Sequence, residues 1–192
     1  MTPLDGGLIP RPRHGGHNKE VLLMAGKKVV IVLPVRGFSE EEYRVVRYSL
    51  EQRGHTVTTA GLFPGAAEAA DGTSVPVEKR IRDIKTYDYD GYVFLGGEGV
   101  RIFFENGDAQ KLAKDISYKT IGATGEAVAF LALAGALKKK RATAPAGWID
   151  VLRRNEVVYT GKPLEVDDKI ITAQDASSGE RLGNAVAAAL AK

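Results

Sequence analysis

The sequence predicts a doubly wound α/β domain, in which a mostly parallel sheet carries helices on both faces. Three observations lead to this fold class. Strand-like and helix-like segments alternate from Lys28 to the end of the chain. The strand-like runs are continuously apolar and β-branched, as in VVIVL at residues 29–33, which is typical of parallel strands buried on both faces. The length of 192 residues suits one domain.

The first part of the chain predicts a strand, a helix and a second strand. Residues 29–33 form the first strand. Ser39 is the expected N-cap of the helix, because three glutamates follow it and favour the positive end of a helix dipole. The helix continues to Gly54, a typical helix stop, and residues 55–59 form the second strand. Residues 61–72 are rich in alanine, glycine and proline and predict a loop.

The rest of the chain alternates in the same way. Residues 75–77 are expected at a sheet edge, because Pro76 cannot donate to a central ladder. The basic run at residues 138–141 is expected at the negative end of an alanine-rich helix. The other predicted elements are strands at 92–95, 120–123 and 157–159, helices at 100–115, 126–137, 148–153 and 179–191, and a hairpin at 164–173 with its turn at Asp167 and Asp168.

Residues 1–25 differ in composition from the rest of the chain. They contain two GG pairs, a PRPR run and one brief apolar run, VLLM, which is shorter than a signal-peptide core. We expect a flexible N-terminal extension over residues 1–25 and a single domain over residues 26–192. Met24 stands just before the first strand, so the extension is interpreted either as native or as vector-derived.

The composition excludes several kinds of chemistry. The chain has no cysteine, which excludes disulfides, thiolate metal sites and a cysteine nucleophile. Its three histidines are His14, His17 and His55, far from the candidate motifs, so we expect no metal site. A net charge of +3 does not indicate a nucleic-acid partner, and no apolar run reaches the ~20 residues that span a membrane. Phosphate-binding glycine signatures are missing, so we expect no nucleotide or other cofactor. The short apolar run of the N-terminal stretch does not match a signal peptide, so we expect a cytoplasmic protein.

Strand-to-helix junctions are the expected place for a site, because ligands of doubly wound sheets bind where strands end and helices begin. Three such junctions are predicted, at residues 34–42, 95–101 and 123–126. Four segments of the chain, residues 34–42, 90–97, 121–138 and 163–172, also follow one another in a familiar order. Together they resemble the ThiJ/PfpI family of the class I glutamine amidotransferase-like superfamily. The resemblance covers nearly everything after Lys28, and it implies a flavodoxin-like sandwich.

The resemblance also implies where a site would lie. Family members with peptidase-like or glyoxalase-like activity carry a reactive cysteine at a tight strand-to-helix elbow, and Gly125 stands at that position here. Glu126 stands where peptidase-like members have a histidine, and Arg101 stands where they have an acid that reaches a neighbouring subunit. Glu42 matches the acid of the first junction.

Backbone groups and one hydroxyl complete the candidate site. Gly96 and Gly97 form the glycine turn, whose amides either bind an anion or oxyanion or serve only the positive φ of the turn. Thr124 is the one hydroxyl at the elbow and lacks a neighbouring base, so we expect it to be a poor nucleophile. Gly125 is expected to tolerate a strained elbow because it has no Cβ.

Two functions from different classes follow from these residues. The first is a family member without its nucleophile, acting as a non-catalytic or repurposed stress or binding protein. The second is a cysteine-independent enzyme that acts on a small carbonyl compound, with Glu42 and Glu126 as acid and base, two carboxylates that raise each other's pKa. A third interpretation, an intracellular peptidase, follows from homology alone.

The expected partner is a second copy of the chain, in a dimer or larger homo-oligomer. Arg101 and Glu126 form a predicted interface pair, since a guanidinium and a carboxylate make a bidentate contact. A small carbonyl or carboxylate compound is the expected ligand. Nucleic acid and membrane are not expected.

Overall fold

Residues 26–192 form one α/β unit in the computed structural model, which describes these residues. The predicted extension over residues 1–25 lies outside the described residues. The strands are β1 (Lys28–Val32), β2 (Arg36–Phe38), β3 (Thr56–Gly61), β4 (Gly65–Ala69), β5 (Ser74–Val77), β6 (Lys79–Arg80), β7 (Gly91–Phe94), β8 (Thr120–Thr124), β9 (Arg141–Ala142), β10 (Val158–Tyr159), β11 (Leu164–Asp167) and β12 (Ile170–Ala173). The α-helices are α1 (Glu40–Glu51), α2 (Gly107–Asp115), α3 (Glu126–Leu133), α4 (Ile149–Arg154) and α5 (Gly179–Leu190).

Seven strands form the central sheet, in the order β11-β12-β8-β7-β1-β3-β6. Every neighbouring pair is parallel except the hairpin of β11 and β12 at one edge. Asp168 has a φ of 55° in the turn of that hairpin, as expected for a tight connection. The predicted fold class, a mostly parallel sheet flanked by helices, is confirmed.

The sheet separates two hydrophobic cores, because successive side chains of a strand point to opposite faces. In β1, Val30 and Val32 belong to one core, and Val29 and Ile31 belong to the other. The first core lies under α2, α3 and α4, and the second lies under α1 and α5. Both faces of β1 are therefore covered, which explains its uninterrupted apolar run.

A second, smaller sheet lies beyond the end of β1, and most of it was not predicted. Its order is β2-β4-β5, so β5 with Pro76 is at its edge as expected. The prediction of a loop over residues 61–72 is wrong, because β4 occupies residues 65–69 and pairs with β5. The sequence GAAEA has little intrinsic strand preference, and its pairing partners determine its conformation.

Two predicted helices are shorter in the structure. The helix expected over residues 100–115 consists of a 3-10 segment, Glu98–Glu105, followed by α2. Asn106 separates them, because its side chain accepts a hydrogen bond from the Ala109 N–H and begins a new helix. The helix expected over residues 126–137 ends at Leu133, and Gly135 follows it with a φ of 81°.

The basic run at residues 138–141 therefore does not lie at the end of a helix. Lys138 forms a salt bridge with Glu156, and Arg141 begins β9, a short strand that pairs with β10. Within residues 26–192, no helix is long and apolar enough to cross a membrane.

Candidate functional site

A pocket of about 310 Å³ lies at the edge of the central sheet where β7, β8 and β12 end. This is the edge at which doubly wound sheets bind ligands. The pocket is lined by Gly37, Ser39, Glu42, Ala70, Gly96, Gly97, Thr124, Gly125, Glu126, Pro145, Gln174, Asp175 and Ala176. Six of the seven site residues from the sequence are among them, and Arg101 is not.

Glu42 reaches the pocket from the first turn of α1. Ser39 caps this helix as predicted, and its hydroxyl accepts a hydrogen bond from the Glu42 N–H at 3.1 Å. The Glu42 side chain is only 2% exposed, so it is not a solvated first-turn glutamate. Gly179 at the start of α5 allows this burial, since a Cβ there would lie 3.1 Å from Cγ of Glu42.

The environment of Glu42 favours its neutral form. Burial raises the pKa of the Glu42 carboxyl from its ordinary 4.5 to about 7. The Thr124 hydroxyl stabilises the ionised form and offsets part of this rise, and the negative charge of Asp175 adds to it. The Oε1 atom of Glu42 has no hydrogen-bond partner within the described residues. At neutral pH this carboxyl can therefore either donate or accept a proton in the pocket.

The glycine turn after β7 is held to the elbow by two hydrogen bonds. The Gly96 N–H donates to Oγ1 of Thr124 at 2.8 Å, and the Gly97 N–H donates to Oε2 of Glu126 at 3.3 Å. The two amides predicted to bind an anion are thus occupied by side chains of the chain itself. Only glycine fits at residue 97, because φ is 143° there and a Cβ would lie 2.6 Å from the Gly37 carbonyl oxygen.

The elbow between β8 and α3 is formed by Gly125. Its φ of 53° and ψ of −131° lie in a region that residues with a side chain rarely adopt. The space around it is open, since a Cβ at this position would meet only the Cα of Gly96, at 3.6 Å. A side chain would therefore fit at residue 125, at the cost of backbone strain.

Asp175 is a site residue that the sequence analysis missed. It lies two residues after the end of β12, and its carboxylate accepts a hydrogen bond from the Ser177 N–H at 2.9 Å. Its negative charge raises the pKa of Glu42, an effect that was predicted for Glu126. The residues DASS after a buried strand were an available signal, because they form an N-cap at a fourth strand-to-helix junction.

Arg101 lies outside the pocket on the exposed side of the 3-10 segment after the glycine turn. Its guanidinium carbon is 6.0 Å from the centre of the Trp148 ring. No ion pair joins Arg101 to Glu126 within residues 26–192. The described part of the chain also contains no group of three or more acidic, histidine or cysteine side chains placed to hold a metal ion.

Comparison with known proteins identifies the family. The profile of the DJ-1/PfpI family matches residues 27–189, and the chain belongs to that family. An uncharacterized protein of Methanocaldococcus jannaschii is 29% identical over 175 residues, which cover 88% of this chain and 85% of that protein. An uncharacterized protein of Archaeoglobus fulgidus is 27% identical over 147 residues, which cover 76% of this chain and 88% of that protein.

Solved structures of the family share the fold. The ThiJ/PfpI domain protein from Brachyspira murdochii superposes with a TM-score of 0.82 at 22% identity, covering 88% of this chain and 98% of that one. Drosophila melanogaster DJ-1beta gives a TM-score of 0.76 at 22% identity, with coverage of 86% and 91%. The putative protease I from Bacteroides thetaiotaomicron also gives 0.76, at 19% identity, with coverage of 85% and 99%. At these identities the likeness concerns the fold.

Proposed function

We propose that this DJ-1/PfpI-family protein binds a small molecule in the pocket without forming a covalent bond to it. The observation that carries the proposal is the elbow, where Gly125 offers no side chain and the space around it is open. The pocket retains a buried carboxyl, Glu42, which can recognise a ligand by hydrogen bonding.

The remaining hydroxyl at the elbow does not replace a nucleophile. Oγ1 of Thr124 accepts the Gly96 N–H at 2.8 Å, and the side chain also lies against Glu42. Activating a hydroxyl needs a positioned base. The expectation that Thr124 has no neighbouring base is wrong, because the Glu42 carboxyl lies beside it, but no histidine or lysine of the described residues lines the pocket. These contacts support a structural role for Thr124.

The proposal is tested by restoring the missing groups. The double variant Gly125→Cys, Glu126→His is expected to gain turnover of methylglyoxal, whereas the wild type is expected to have none. The control is Gly125→Ala with Glu126→His, which introduces the same backbone strain and the same histidine without a thiol. Turnover by the wild type would overturn the non-catalytic proposal.

A second candidate function, an acid–base enzyme acting on a small carbonyl compound, is favoured by one observation. Burial raises the pKa of the Glu42 carboxyl to about 7, and its Oε1 atom has no hydrogen-bond partner among residues 26–192, which suits a general acid or base. The same assay separates the two functions, because this enzyme would turn over substrate in the wild type and lose activity in Glu42→Gln. Glu126 is a weaker candidate for the second group, since its carboxylate is bound to the Gly97 N–H.

The peptidase interpretation has little support. The putative protease I from Bacteroides thetaiotaomicron is only 19% identical, and this chain has no cysteine. A stress role and a cytoplasmic location stay predictions.

A further inference from the structure

Glu126 occupies the position on the glycine turn where an anionic ligand would bind. Its Oε2 accepts the Gly97 N–H at 3.3 Å, while Thr124 accepts the Gly96 N–H. A carboxylate ligand would have to displace one of these side chains to reach either amide. The chain thus fills its own anion-binding position with a tethered carboxylate.

The charge of the pocket opposes anions as well. Glu42, Glu126 and Asp175 line it, and none of the described residues around it is a lysine, arginine or histidine. An entering carboxylate would meet carboxyl groups without a compensating cation, in a partly desolvated space where repulsion is stronger than in water.

The carboxyl groups of Glu42, Glu126 and Asp175 line the pocket as hydrogen-bond acceptors. Oε1 of Glu42 lacks a hydrogen-bond partner within residues 26–192, although the side chain is only 2% exposed. A buried carboxyl oxygen without a partner is costly, and a ligand that donates a hydrogen bond to it removes that cost. A protonated primary amine carries three donors and a positive charge, and so complements this set of acceptors.

We infer that Glu126 is a specificity-determining residue, which keeps anionic ligands off the glycine turn and reserves the pocket for small protonated amines. This inference rests on the proposed function, namely that the pocket binds a small molecule. It replaces the carboxylate ligand expected from the sequence with a ligand of opposite charge.

The experiment is a titration of the full chain with two probes, followed through the backbone amide signals of Gly96 and Gly97 by NMR. Ethylammonium is expected to perturb signals of the pocket in the wild type, and acetate is expected to leave the Gly97 amide unchanged. In Glu126→Gln, which keeps the shape and removes the charge, acetate is expected to bind at least about tenfold more tightly than in the wild type. Glu126→Ala, which also frees the Gly97 amide of its side-chain partner, is likewise expected to bind acetate more tightly than the wild type.

Glu98→Gln is the matched control. Glu98 directly follows the glycine turn and carries the same charge, but its side chain is exposed and pairs with Arg36. Acetate is expected to bind this variant as poorly as the wild type. Equal acetate binding to wild type and Glu126→Gln would overturn the role of Glu126 and leave the proposed function intact. Failure of both probes to bind any variant would overturn the proposed function together with this inference.

Discussion

At the scale of single residues, the site depends on where side chains are absent as much as on where they are present. Gly179 leaves room for the Glu42 side chain, and Gly97 allows the turn to approach Gly37. The close packing has an electrostatic effect on Glu42, because burial raises the pKa of its carboxyl and the negative charge of Asp175 adds to the rise.

The raised pKa of Glu42 predicts a pH-dependent stability. The carboxyl titrates near 4.5 when unfolded and near 7 when folded, so the folded state binds more protons between these values. Its contribution to the free energy of unfolding is complete below pH 4.5 and is lost as the pH rises through 7. Glu42→Gln removes this loss. We expect the variant to gain about 3 kcal/mol relative to the wild type between pH 4.5 and pH 8, measured by denaturant unfolding.

The control for this measurement is Glu41→Gln. Glu41 lies in the same helical turn but is exposed, so the variant accounts for the loss of one charge from the helix start. If the free energies of unfolding of Glu42→Gln and the wild type differed by the same amount at every pH, burial would not raise the pKa of the Glu42 carboxyl.

At the scale of elements, α5 is placed by its small residues. Gly183 faces Ser49 of α1, and a Cβ at residue 183 would lie 2.8 Å from Cβ of Ser49. The two helices approach closely here, and together they cover one face of the sheet.

Gly183→Ala tests this close approach. Alanine has a higher helix propensity than glycine, so the same substitution at an exposed helical position would stabilise the protein. Here we expect a net loss of about 1–3 kcal/mol, because the two helices have to move apart. Gly107→Ala, in the first turn of α2 with open space around it, is the control and should not destabilise. Thermal unfolding measures both, and equal stabilities would contradict the proposed contact.

Elements with a regular apolar pattern could be predicted from the sequence, and elements defined by their partners could not. The runs that became β1, β7 and β8 are apolar on both faces, which leaves few other conformations. β4 has no such pattern and exists because β2 and β5 pair with it. The break at Asn106 was also missed, since an asparagine caps a helix only when the chain before it turns away.

The same difference applies to the candidate site. The residues of the first three junctions were predicted from a family resemblance, and six of them line one pocket. Their hydrogen bonds were not predictable, because a half-buried glutamate such as Glu126 has several partners within reach. Asp175 was not predicted, because the sequence indicated a hairpin at β12 and no strand-to-helix junction after it.

At the scale of the whole molecule, the predicted homo-oligomer can be tested through Arg101. Arg101 is exposed and stacks near Trp148, and the neighbouring Ile102 is 48% exposed, so this side of the fold offers apolar and charged groups to another copy. In sedimentation experiments we expect the wild type to associate and Arg101→Ala to associate at least about tenfold more weakly. Arg181→Ala, another exposed arginine, is the control. Unchanged association of Arg101→Ala would contradict the interface role.

The glycine at the elbow also determines how the site responds to oxidants. A thiolate at such a position is readily converted to sulfenic and sulfinic acid, which changes its charge and size. Here the two methionines are Met1 and Met24 and there is no cysteine, so residues 26–192 contain no sulfur atom. Hydrogen peroxide at concentrations that inactivate thiol enzymes therefore leaves this pocket chemically unchanged, and its properties are the same in reducing and oxidising surroundings.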